Sequence, residues 1–327
     1  MWDVWGINFS LCRFENQQTN VADASLLGIG IDAADAGFSV GGCHCDLNIQ
    51  VGDPCPEDHL HGSRFKGLRL GINSYKISNL RPFAVDCADF ENNIVGISSH
   101  SVDNIAVTNN RLLKIGGNPA PILSGSPYHI GIAIYSGTGF RVEENHFKRD
   151  LSGTALTIGA FLYNTGTEHN QLYKNRFQDL YIANLAQALN RDPHHSLNGL
   201  QYLCNKQENN SQDISVRHDD PIASNYSDEG IRVFQGDPQQ VPPLAAGNTF
   251  SHINGSNPQS DFSNLTSWPV NYYFVSPGGF DEPLYYTPSY VQPVYPATAN
   301  TCPSYLSSGI GNGIHLAART KDDFERG

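Results

Sequence analysis

Charge is scarce in this 327-residue chain, and so are methionine, of which there is one, and any clustering of basic residues. Charged residues make up 16% of it, too few for the Glu-, Lys- and Arg-rich composition on which long helices draw. Lys and Arg number 20 against 32 Asp and Glu, a formal net charge of −12. That mean field repels a phosphate backbone. No basic run exceeds His146-Phe147-Lys148-Arg149, so nucleic acid is not an expected partner. No apolar run approaches the roughly 20 residues that span a bilayer. Met1 leads into Trp2-Asp3-Val4-Trp5 without a basic or apolar leader. The expectation is that a processed segment is missing and that the chain, ending at Gly327, is a fragment of a longer protein. Zinc-type Cys/His spacing, Gly-x-Ser-x-Gly, the P-loop and the dinucleotide fingerprint are also missing. Calcium has no Asp-x-Asp-x-Asp run or glycine-rich nonapeptide behind it, and no cofactor is expected.

What is present is Gly (31), Pro (19), Phe (16) and Tyr (15), with a short recurring template. Two apolar residues at i and i+2 are followed, three further on, by Asn and then, two on, by an apolar or aromatic residue. It reads Ile105-Val107-Asn110-Leu112, Phe140-Val142-Asn145-Phe147 and Leu172-Asn175-Phe177 with Asn170 in the first slot. Leu68-Leu70-Asn73-Tyr75 fits, Leu200-Tyr202-Asn205 fits up to Gln207, and Asn248-Phe250 keeps the second half. Ile7-Phe9-Cys12-Phe14 and Phe38-Val40-Cys43-Cys45 put Cys in the Asn slot, and Phe83-Val85-Ala88-Phe90 puts Ala there.

Alternation at i and i+2 sends two side chains to one face of a strand. The step to Asn describes a bend, which Asn suits by tolerating left-handed backbone, and the last slot opens a second strand. A fixed spacing reused between loops of varying length is the mark of a stacked coil. The expected fold is an all-β, right-handed parallel β-helix over residues 1–255, favoured over a β-sandwich. An extended Tyr/Pro-rich segment over 256–327 should lie along the flank or cover the last coil. Asn73, Asn110, Asn145, Asn175, Asn205 and Asn248 should form one column. A second marker, Gly before an apolar residue, recurs at Gly71-Ile72, Gly96-Ile97 and Gly131-Ile132. Residues 46–64 read as a polar loop, and 183–196 as the one helix-like stretch.

Seven cysteines fall at 12, 43, 45, 55, 87, 204 and 302. Cys45 precedes the polar loop and Cys55 lies within it, where a disulfide between them, for which Cys43 competes, would staple the loop and imply an oxidising compartment. Cys12 and Cys43, in equivalent slots of adjacent coils, are either disulfide-bonded or small fillers of a column, and the filler reading is favoured.

The stretch Gly199-Leu200-Gln201-Tyr202-Leu203-Cys204-Asn205, with Asp213-Ile214-Ser215-Val216 and Ala245-Ala246-Gly247-Asn248-Thr249-Phe250-Ser251, resembles a block in large exported proteins of Bacteroidota. Those carry right-handed parallel β-helix repeats and often a C-terminal type IX secretion sorting domain. The resemblance covers most of residues 1–255 and implies an extracellular or cell-surface location. It implies little about activity. No sorting domain is recognisable before Gly327.

Candidate chemistry is sparse. Arg217, His218, Asp219 and Asp220 form the most varied cluster and are the candidate ligand-binding set. Asp58, His59 and His61 could hold a divalent metal, two imidazoles sharing one face of an extended segment. Asp86 and Asp89, grouped with Glu91, and Glu143 with Glu144 are the other acidic candidates; Asp86, Asp89, Glu143 and Glu144 sit at repeat bends and read as solvated surface. A structural, adhesive or carbohydrate-binding module is expected, with polysaccharide or cell-surface components as partners and end-to-end self-association as a further contact. The alternative is a polysaccharide lyase or glycoside hydrolase working in a flank groove, by analogy of fold.

Overall fold

The computed structural model describes residues 1–16, 26–42, 44–45, 60–117, 128–219, 228–254 and 259–306, the side chains of 44–45, 60–61 and 253–254 excepted. Three long parallel sheets run side by side along one axis. Sheet 1 stacks Trp5–Ser10, Gly37–Gly41, Ala84–Asp86, Ala106–Thr108, Arg141–Glu143, His169–Tyr173 and Gly199–Leu203. Sheet 2 stacks Arg13–Glu15, Ser63–Lys66, Ala88–Glu91, Arg111–Ile115, His146–Arg149, Arg176–Gln178 and Lys206–Glu208. Sheet 3 stacks eight strands in chain order from Ile29–Ala34 to Ser260–Asn264. The chain visits sheets 3, 1 and 2 in turn, and each visit pairs with the one before. This is a parallel β-helix, as the repeat implied.

The Asn column is real from Asn110 onward. Asn110, Asn145, Asn175 and Asn205 each donate from Nδ2 to Oδ1 of the next, at 2.9–3.1 Å, ending on Asn248. Each Nδ2 also donates to a main-chain carbonyl of the preceding sheet 1 strand, as Asn145 does to Val107 at 2.8 Å. Earlier coils fill the slot with Ala88, whose N–H donates to Asn110 Oδ1, and with Ser63, whose Oγ accepts from Cys12 N–H. Asn73 is a correction. It lies in sheet 3 opposite Ser98 and donates to Asp32 at the surface, because the Leu68 to Tyr75 match crosses a corner where the backbone enters a different sheet.

The bend itself belongs to the preceding residue. Leu11, Cys87, Asn109, Glu144, Lys174 and Cys204 have φ between 53° and 59°, and Gly247 has 74°. Left-handed backbone costs a non-Gly residue about 1 kcal/mol. Each coil offsets that cost because the strained N–H donates to the next coil, Glu144 to Tyr173 O and Cys204 to Ala246 O among them. Asn is therefore selected for its inward amide, with its own φ left in the ordinary region.

Inside, Phe14, Phe65 and Phe90 stack face to face at 4.7–4.8 Å, as do Phe147 and Phe177 at 4.7 Å. They face a column of Gly71, Gly96, Gly131 and Gly159 in sheet 3. A Cβ on Gly159 would sit 2.6 Å from both the Ala183 carbonyl and the Phe177 ring, so the glycines make room for the aromatic stack.

The helix-like reading of 183–196 fails. Ile182–Gln187 is a sheet 3 strand, where pairing on both sides and small inward Ala residues override helix propensity. Ser63 and Arg64 likewise belong to sheet 2. Winding also continues past 255: Ser260–Asn264 joins sheet 3, and Val270–Tyr273 pairs in parallel with Phe234–Gln235 and Val291–Val294. Pro293 sits in the outermost of those three strands, where a missing N–H is tolerated.

Gln207, the template misfit, belongs to a polar patch in the last coils. In the register of the glycine column, Ala183 is followed by Asp213 and Asp261, both fully buried. Asp213 accepts from Ser251 N–H at 2.7 Å, Ser251 Oγ–H at 2.6 Å and Asn210 Nδ2–H at 3.0 Å. Burial nevertheless raises its pKa to about 7, with Asp261 adding to the rise against those hydrogen bonds. The folded state thus keeps a proton that the unfolded chain, with its ordinary carboxylate value of 3.8, has lost. Stability from this group falls as pH rises from about 4 to about 7 and is level above. Asp213→Asn should remove that slope. Relative to the variant, wild type should lose about 2–4 kcal/mol between pH 5 and 8 in urea unfolding. Equal slopes would show that Asp213 ionises freely.

Candidate binding site on the outer face of sheet 1

The three outer faces differ in chemistry. Sheet 2 is laced by ion pairs that cancel one another, including Arg111 with Asp89 at 2.6 Å, Lys114 with Glu91 at 2.6 Å and Arg176 with Glu208 at 2.6 Å. Sheet 3 is apolar and aromatic: Val95, Ile130, Ile158 and Ile182 form a second cluster, beside which His100 stacks on Tyr135 at 4.4 Å. Sheet 1 carries cavities.

A C-terminal strap shapes them. After Thr298, which bridges to Leu244, the chain runs back across sheet 1. A disulfide joins Cys302 to Cys204, across a Cα separation of 5.6 Å. Tyr173 O–H donates to Pro303 O at 2.8 Å, Tyr305 stacks on Tyr173 at 4.5 Å, and Tyr305 N–H donates to Glu143 Oε1 at 3.0 Å. Gly247 passes under the disulfide with no room for a Cβ.

Two neighbouring cavities lie beside the strap and share His169 and Gln171. The larger, about 400 Å³, is further lined by Asn198, Gln201, Arg232, Asp237 and Asn300. The smaller, about 310 Å³, adds Arg141, Glu143, Tyr173 and Tyr305. Gln201 is locked from behind, its Nε2 donating to Phe234 O at 2.8 Å and Gly236 O at 3.0 Å, which leaves Oε1 to accept from Arg232 Nη1 at 2.8 Å. Gln171 Nε2 donates to His169 Nε2 at 2.6 Å, so that nitrogen is the unprotonated one. Burial, helped by Arg232, pulls the His169 pKa below its usual value, leaving a neutral imidazole at pH 7. Arg232 is pulled down by burial too, against the attraction of Asp237. Gly236, at φ +113°, turns the chain into the wall carrying Asp237, whose N–H and C=O both pair with Leu244. Such a surface offers amides, a guanidinium, an imidazole and two tyrosine rings to one bound molecule.

The positions expected from sequence lie elsewhere. Arg217 donates to Ser215 Oγ and Gln212 Oε1, while His218 Nδ1 lies 2.7 Å from Glu229, which also accepts from Asp219 N–H. That cluster closes on Glu229 at the end of sheet 3, and neither cavity is lined by it; Asp220 lies outside the described residues. Asp58 and His59 lie outside them as well, as does the side chain of His61. Among the described residues no three His, Cys, Asp or Glu side chains gather to hold a metal. Cys55, and with it a Cys45–Cys55 pairing, is outside the described residues; Cys87 is disulfide-bonded and Cys12 is free.

Glu143 is a correction. Expected as solvated, it is 1% exposed, held by Arg141 at 2.6 Å and by the strap. Glu144 pairs with Lys174 at 3.1 Å. The cavity residues had one sequence signal. The slot between the two apolar positions of the template points outward, and it changes from Ala84 and Ala106 to Arg141, Gln171 and Gln201. Arg232 and the strap lie far from the template and gave none. Comparisons of the chain with protein-family models, curated proteins and solved structures found no match. Fold and site define its class: a parallel β-helix with a polar, partly roofed groove on one flank.

Proposed function

We propose that the chain is an exported β-helix module that binds a polysaccharide, holding it along the outer face of sheet 1 without cleaving it. The two contiguous cavities sharing His169 and Gln171 carry this reading. Neutral amides and a neutral imidazole suit hydroxyl groups, tyrosine rings suit the apolar faces of sugars, and a flank along the coil axis suits an extended polymer. The Cys204–Cys302 bond fits an oxidising, extracellular or cell-surface setting.

A second reading, a lyase or glycoside hydrolase, draws on one observation: Asp237, His169 and Arg232 line the same cavity. Against it, Asp237 already accepts from Gln239 N–H and Gln240 Nε2, and Glu143 from Arg141 and Tyr305. One assay separates the two. The protein is passed over a panel of neutral and acidic polysaccharides and scored for retention and for new reducing or unsaturated ends. Retention without new ends is expected, and the double variant Gln171→Ala, Tyr305→Ala should weaken it about tenfold, a loss of about 1.4 kcal/mol. New ends would move the site to the enzyme reading, and no retention by any polymer would remove both.

A further inference from the structure

The larger cavity holds a buried positive charge without a paired carboxylate. Arg232 is 6% exposed. Its Nη1 donates to the uncharged Gln201 Oε1, and its Nε is buried with no hydrogen-bond partner among the described residues. Asp237 is close enough to be felt by the guanidinium, yet no ion pair joins them, and the Asp237 carboxylate accepts from Gln239 and Gln240. A buried guanidinium is ordinarily matched by a carboxylate or phosphate, because its desolvation is otherwise uncompensated. Here only Nη1 is engaged among the described residues, by an uncharged amide, and a guanidinium in that state is a ready partner for an oxyanion. The main chain of Arg232 is held in place. Its backbone N–H donates to Leu200 O and its carbonyl accepts from Gln235 Nε2.

We propose that the larger cavity recognises a sugar ring bearing one anionic group, a carboxylate or a sulfate, that neutralises the Arg232 guanidinium. This rests on the glycan-binding reading above and names its ligand class. Asn198, Gln171 and Asn300, on the same cavity wall, then serve the ring hydroxyls. The chain as a whole carries −12, so a densely charged polyanion is repelled while an isolated acidic substituent on a neutral chain is admitted. The selective element is therefore the one buried guanidinium that lines this cavity, in an acidic protein.

The test varies the ligand before the protein. Calorimetry on the full chain compares a trisaccharide of two xyloses and one glucuronate with its methyl ester, with a form carrying 6-sulfoglucose, and with the neutral glucose form. The glucuronate form should bind at least about tenfold tighter than the ester and the neutral form, and Arg232→Gln should bring that ratio to about one. Binding of the sulfated form in place of the glucuronate would identify sulfate as the source of the charge. Equal affinity for acid, ester and neutral forms overturns the anion site and leaves the glycan reading standing. No binding of any form at millimolar concentration overturns both. Should Arg232→Gln fail to fold, the acid-to-ester ratio on the wild-type protein decides alone.

Discussion

Asn175→Leu is expected to destabilise the chain by about 3–5 kcal/mol, because one amide satisfies four buried groups. Asn175 Oδ1 accepts from both the main-chain N–H and the Nδ2 of Asn145, while its own Nδ2 donates to Val142 O and to Asn205 Oδ1. A leucine of similar size breaks all four bonds; Asn145 Nδ2 keeps Val107 O and Asn205 Oδ1 keeps the Asn175 main-chain N–H, so the cost falls mainly on Asn145 N–H and Val142 O, at about 1–3 kcal/mol each, of which apolar burial recovers only part. The matched control is Asn73→Leu. Asn73 fits the same sequence template but reaches Asp32 at the surface, and its replacement should cost less than about 1 kcal/mol. Urea midpoints of the two variants give the comparison; equal losses would mean that the column contributes nothing beyond ordinary packing.

Cys302→Ser should be comparably damaging, for a different reason. The disulfide with Cys204 closes a loop across a sequence separation of 98 residues, and loops of about 100 residues restrict the unfolded chain by up to about 4.7 kcal/mol. A loss of about 3–5 kcal/mol is expected. The folded state changes as well, since the strap is then held only by the Tyr173–Tyr305 stack and a few hydrogen bonds. Amide exchange over 297–306 should accelerate markedly in the variant, and glycan affinity should drop as the roof over Glu143 and Tyr173 lifts. Cys12→Ser, at a free and half-exposed thiol, should leave both properties unchanged. A Cys302→Ser protein as stable as the Cys12→Ser control would remove the disulfide from any structural role.

How much of this was legible depended on range. Columns of Phe, Gly and Asn could be read because each coil repeats the same local backbone, and identical backbones demand identical side chains at fixed spacing. Where two different corners share a spacing, as at Leu68 to Tyr75, reading failed, since spacing alone does not say which sheet a strand enters. The helix-like run Ala183-Asn184-Leu185-Ala186-Gln187 misled because its small residues answer to the strands above and below it. Gln207 looked like a defect and proved to be half of a compensated change, arriving with Asp213 and Ser251 in the same coils. The candidate site was the least visible part. Arg232 reaches Gln201 from outside the template, and Tyr305 meets Tyr173 only because the strap returns across more than 100 residues of chain; no local pattern encodes either.

Direct evidence on the flank groove would come from a crystal structure of the protein soaked with the glucuronate-bearing trisaccharide. Density for a sugar is predicted over sheet 1 beside the strap, with its carboxylate on Arg232 and a neighbouring ring near Gln171 and His169. Density along the aromatic row of His100, Tyr135 and Tyr163 on sheet 3, with the sheet 1 cavities empty, would contradict it.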